Sequence, residues 1–171
     1  KNQQKYPLKI QVPFPWGSQL SGVKDEADIA WYQRLIEVPA NWQSKRTFLV
    51  IGASDWKTDV YLDGQKIGSH QGGYTPFSFD LTKFLKSGQK QKLHIRVDDK
   101  RRMFTLYGKQ GYGNARGIWQ TIYLESRGDQ YVEYAQVSPD IDQSTAKFQV
   151  ELAAPVKQKT SVKVTLSAGF S

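Results

Sequence analysis

The chain has two histidines, and the better placed for chemistry is His70, in the run GSHQGGY from Gly68 to Tyr74. A lone histidine with no Cys, His or carboxylate at ligand spacing makes no metal site. There is no cysteine, so thiolate ligation and a disulfide framework are both out of reach. No Ser-His-Asp order, Gly-x-Ser-x-Gly turn, phosphate loop or dinucleotide fingerprint occurs. Glycoside hydrolysis needs two acids facing each other across a cleft. The acids here lie in turns (Asp25, Glu26, Asp28, Asp98, Asp99) or alternate with apolar core residues, and no cofactor is implied. The residues alone therefore support contact rather than catalysis. His70 and Tyr74 in one glycine-rich loop, and Lys109, Gln110, Tyr112, Asn114 and Arg116 in another, supply donors and rings for a polar ligand. Support of their own loops is the alternative role.

The elements that must carry these loops read as strands throughout. Trp56, Thr58, Val60 and Leu62 alternate with Lys57, Asp59, Tyr61 and Asp63. Asp63-Gly64 provides the positive-φ chemistry of a tight hairpin. The return strand passes Ile67 and ends at Gly72-Gly73, where the backbone needs unusual dihedrals or a close approach. Phe77, Phe79 and Leu81 resume the alternation. Further strands are expected at Leu8–Val12, Ala30–Val38, Thr47–Ile51, Leu93–Val97 and Ile118–Glu125, with one helical turn at Thr82–Lys86 capped by Thr82. The long connection over 99–116 has the length of a functional or mobile loop, and its Gly108–Gly117 part is expected to be the mobile partner of a rigid Gly72-Gly73 turn. Beyond Asp129 the pattern restarts with Val132–Val137, a turn at Ser138-Pro139-Asp140, Ala146–Leu152 and Val162–Leu166. Three strands cannot cover both faces of a sandwich, so 127–171 reads as the incomplete start of an immunoglobulin-like domain after a domain over 1–126. The class is all-β.

Composition narrows the partners. The 171 residues carry a net charge of +8, with 22 aromatics (5 Trp, 9 Tyr, 8 Phe). Residues 1–126 hold 19 Lys and Arg against 11 Asp and Glu, a net +8, whereas 127–171 hold 5 of each. The excess is scattered over turns, such as Lys83, Lys86, Lys90 and Lys92, rather than gathered in a stripe, so no nucleic-acid partner is expected. No apolar run approaches the ~20 residues of a membrane helix, and no signal-peptide pattern appears. The compartment stays open, with a bacterial periplasmic or secreted location preferred over a cytoplasmic one. Trp31, Tyr32, Trp42, Trp56 and Trp119 are core residues or sugar platforms. Trp31 and Tyr32 point to opposite faces, so one of them packs outside the core.

Four blocks in order, VPFPWGSQLSGV, AWYQRLIEVPANW, VYLDGQKIGSHQGGYTPFSFDLT and GKQGYGNARGIWQTIYLE, resemble the N-terminal sugar-binding domain of family 2 glycoside hydrolases. The resemblance runs from Leu8 to Glu125. It implies a jelly-roll β-sandwich of the galactose-binding type, a following immunoglobulin-like domain, and a separate (β/α)8 barrel bearing two catalytic glutamates. On that reading the chain is a non-catalytic part of a retaining β-glycosidase. It would shape one edge of the sugar pocket, with a β-glycoside and the parent enzyme's other domains as partners and a homo-oligomer as a further possibility. β-Galactosidases of the family lend an aspartate just before the Gly-Ile-aromatic block. Lys109, Gln110 and Gly111 stand there in this chain, so that contact does not carry over. An autonomous carbohydrate-binding module and an assembly domain are the alternatives.

Overall fold

The computed structural model describes residues 6–24, 27–86, 88–100, 116–154 and 161–165. The chain divides into two compact units, Lys1–Ser126 and Arg127–Ser171.

The first unit packs two sheets. One has the order β1-β7-β4-β5 and the other β6-β2-β9, where β1 is Ile29–Ile36, β2 Arg46–Ile51, β4 Lys57–Leu62, β5 Gln65–Gln71, β6 Phe77–Asp80, β7 Gln91–Asp98 and β9 Ile122–Arg127. A short ladder joins β3, Ser54–Asp55, to β8, Gly117–Ile118. Alternation explains which residues close the interior. Leu93, Ile95 and Val97 of β7 meet Val60 and Leu62 of β4, and Leu49, Ile51, Leu81 and Ile118 complete the core. β2 is central in its sheet and is buried at every position from Thr47 to Ile51. The hairpin between β4 and β5 turns where Asp63 and Gly64 take φ of 47° and 84°. Asp63 fixes that turn to the neighbouring strand by accepting the Lys92 N–H at 2.8 Å. Tyr32 faces inward beside the Trp16 ring, while Trp31 is turned out against Tyr61 at 5.6 Å.

Several expectations are corrected. Residues 8–12 form no strand. They alternate in character, but no ladder forms: Gln11 N–H donates to the Ser21 carbonyl at 2.8 Å and the Gln11 carbonyl accepts the Phe14 N–H at 3.1 Å, while Ile10 and Val12 pack on the core. The turn after Leu81 is real, with Leu85 N–H reaching the Leu81 carbonyl at 3.1 Å. Its cap is Asp80, which accepts the Thr82 N–H at 2.9 Å; the Thr82 hydroxyl instead accepts the Thr47 N–H. The stretch from Ile118 is broken at Trp119 and Gln120, whose N–H groups both turn to the Ala53 carbonyl.

Among its described residues the second unit contains one hairpin, β10 (Val132–Asp140) paired with β11 (Thr145–Leu152). Ser138-Pro139-Asp140 is not a turn: Pro139 lies in the ladder opposite Ala146, at an end where the missing N–H costs little. The chain reverses over 141–144, with Ser144 at φ 52°. Residues 161–165 form no strand, and Leu166 lies outside the described residues.

On the exposed side of the first sheet, Asp59 is only 5% exposed. Burial pushes its carboxyl up, but hydrogen bonds from Lys66 and Ser69, with the Lys66 charge, outweigh it and hold the group below the ordinary range. A lowered carboxyl stabilises the fold above the unfolded value of about 4, and that stability is lost as pH falls through the folded value. Asp59→Asn is therefore expected to destabilise the chain at neutral pH and to converge with the wild type in acid. Urea titrations at several pH values check this; a pH-independent gap would show that the charge of Asp59 is not the cause.

Candidate functional site

The β4–β5 hairpin and the β3–β8 ladder bring Gly72 and Gly73 near Gly117 and Trp119 at one rim of the first unit. Gly72 N–H donates to the Trp56 carbonyl at 3.1 Å, and Gly72 itself has φ 128°. One residue on, the Gly73 carbonyl accepts the Trp119 indole N–H at 2.8 Å. Tyr74 stands edge-on to Trp119, with ring centroids 5.7 Å apart and planes at 66°, and is 79% exposed. A free-standing tyrosine braced by a fixed indole is a preformed aromatic contact surface.

Asp55 closes the other side. It pairs with Gly117 across the ladder, precedes the 46% exposed Trp56, and abuts Gly73 so closely that a Cβ there would lie 2.7 Å from Oδ1. Burial pushes its carboxyl up. Sequence reasoning missed this residue. The available signal was an acid set between the Thr47–Ile51 strand and an exposed tryptophan at the hairpin's entry.

The residues expected at the site divide. Tyr74 is at the rim. His70 lies in β5 opposite Thr58 and stacks on Phe77 at 3.8 Å and 11°, with its Nε2 enclosed and unpartnered among the described residues. It packs at the sandwich margin. Arg116 is 5% exposed and turned inward. Its Nη1 donates to the Ala27 carbonyl at 2.9 Å and lies 3.8 Å from Asp28, while Nε is 3.6 Å from Asp99. The Trp16 indole donates to the same Ala27 oxygen at 3.0 Å. Lys109, Gln110, Tyr112 and Asn114 lie outside the described residues. Among the described residues no cluster of His, Cys, Asp or Glu could hold a metal ion, and no helix is long and apolar enough to cross a membrane.

Residues 1–126 match the model described as glycosyl hydrolases family 2, sugar binding domain. A β-glucuronidase of Bacteroides fragilis is 26% identical over 163 residues, covering 93% of this chain and 23% of that protein. A β-galactosidase of Thermoanaerobacter pseudethanolicus is 23% identical over 82% of this chain and 20% of its own. Among solved structures, Ruminococcus gnavus β-glucuronidase superposes with a TM-score of 0.76 at 20% identity, over 90% of this chain and 29% of that one. That likeness shows the shared fold, and the chain spans less than a third of each of these relatives. Because the family's sugar-binding model covers the whole of the first compact unit, the chain belongs to glycosyl hydrolase family 2.

Proposed function

We propose that the first unit forms one wall of the substrate site of a β-glycosidase, whose two catalytic carboxylates come from a barrel elsewhere in the parent enzyme. The observation that carries this reading is the Trp119–Gly73 hydrogen bond. It joins the GGYTPF and GIWQ blocks and presents Tyr74 outward at their meeting point. The names of the relatives, β-glucuronidase and β-galactosidase, support a β-glycoside as the substrate class. Lys109, Gln110, Tyr112 and Asn114 act in this reading as donors to sugar hydroxyls or barrel carboxylates.

The test is Tyr74→Ala in the parent enzyme. Loss of an aromatic sugar contact worth about 1–1.4 kcal/mol raises KM for an aryl β-glycoside by up to about tenfold. The melting midpoint moves little, because the ring is exposed. An unchanged KM would remove Tyr74 from the site.

A second reading has its own support. Trp31, 38% exposed and paired with Tyr61 on the outer sheet face, is the solvent-facing strand aromatic that an autonomous carbohydrate-binding module would use.

A further inference from the structure

The two sheets of the first unit differ in width: one has four strands and the other three, with β1 and β9 each at an edge. Between those two edges lies a cavity of about 920 Å³. Ile36, Leu93 and Ile95 wall it from one sheet, and Leu49, Ile122 and Leu124 from the other. Residues 8–12 and 19–22 border it without pairing to either strand edge. Close-packed interiors leave few voids larger than a water molecule, whereas ligand sites run from about 300 to 1,000 Å³ and are mostly apolar. The five residues before Tyr6 are Lys-Asn-Gln-Gln-Lys, which supply no apolar side chain to fill it. Leu8 and Leu20 border it and are exposed, leaving an apolar way in. Its charged groups are all of one sign. Lys9 and Arg34 border it, no Asp or Glu does among the described residues, and neither cation has an ion-pair partner there. Tyr6 borders it too, with its hydroxyl enclosed and unpartnered among the described residues. An enclosed hydroxyl without a partner is costly, and it can donate to an anionic oxygen. Two cations and a donor beside an apolar chamber suit a molecule with an anionic head and a hydrocarbon tail. They do not suit a sugar, whose hydroxyls would lie unpaired against Ile and Leu side chains.

We infer that this cavity binds a long-chain carboxylate, with its tail between the sheets and its headgroup held by Lys9, Arg34 and the Tyr6 hydroxyl. The cavity shares no lining residue with the Tyr74–Trp119 pair, so the inference stands whether or not that rim binds sugar.

The test records isoleucine methyl resonances of the whole chain while decanoate, octanoate or decylamine is added below its micellar concentration. Decanoate is expected to move Ile36, Ile95 and Ile118, which line the cavity, and to leave Ile51, a core residue that does not line it, in place. Each buried methylene tightens binding up to about fourfold, so octanoate should bind up to about tenfold more weakly. Decylamine has the same tail with the opposite charge and should bind at least about tenfold more weakly than decanoate. Lys9→Gln combined with Arg34→Gln should remove that preference, and Tyr6→Phe should weaken decanoate but not decylamine. Equal binding of decanoate and decylamine to the wild type would overturn the headgroup assignment and the inference with it. Shifts that spread to Ile51, or none at Ile36, Ile95 and Ile118, would show that no tail enters the cavity.

Discussion

Replacing Gly117 with alanine is expected to cost the first unit about 3–5 kcal/mol, enough to leave many domains of this size largely unfolded. Two penalties add. The residue sits at φ 81°, where an L side chain is strained, and its Cβ would drive into the Trp16 ring and the Tyr32 hydroxyl. Those neighbours cannot give way easily. Trp16 is buried in the core, and the Tyr32 hydroxyl is placed under the Ile118 N–H. Gly64 separates the two penalties, because it also has positive φ, at 84°, with open space where its Cβ would go. Gly64→Ala should therefore cost only the strain, about 1 kcal/mol. Urea unfolding of both variants, followed by tryptophan fluorescence, gives the comparison. Equal losses would show that crowding at Gly117 contributes nothing.

Arg116→Ala is expected to lower stability by about 3 kcal/mol. The guanidinium is buried, donates to the Ala27 carbonyl and lies near the carboxylates of Asp28 and Asp99. Removing it leaves those groups short of a donor and a countercharge, and leaves a gap beside Trp16's own bond to Ala27. This reverses what its position at the end of a glycine-rich loop implies, which is a surface donor whose loss hardly affects melting. Arg116→Met separates volume from charge: it fills the space and should recover only part of the loss. Melting midpoints of the three forms measure the effect. An unchanged midpoint together with weakened sugar binding would return Arg116 to the ligand site.

Much of the first unit is legible because its signals are local. The Asp63-Gly64 turn, the alternation of Leu93, Ile95 and Val97, and the opposite faces of Trp31 and Tyr32 each follow from neighbours in sequence and all appear in the structure. What escapes depends on distant partners. Leu8, Ile10 and Val12 alternate like a strand, but a strand needs an edge to pair with, and pairing cannot be read from one segment. β3 is two residues long, too short to show a period. The site divides the same way. Tyr74 was placed by its glycines and proline, while Arg116 looked exposed because its charge is visible in sequence and its partners, some 17 to 89 positions away, are not. Asp55 was missed for the same reason: its environment is made by Gly73 and Gly117.

The shared oxygen of Ala27 bears on the order in which the first unit assembles. Its bond to Trp16 spans 11 positions, but its bond to Arg116 spans 89, and the Tyr32–Ile118 contact spans 86. Closing a loop of that length sacrifices more chain entropy than closing the two-residue turn of the β4–β5 hairpin. The hairpin can therefore form while the two ends of the unit are still apart. The ends meet only after the strands between them have shortened the effective distance. Such a topology folds slowly for its size. The junction of Ala27, Arg116 and Gly117 is thus a late clasp, and the β3–β8 ladder that carries Asp55 takes its final form with it.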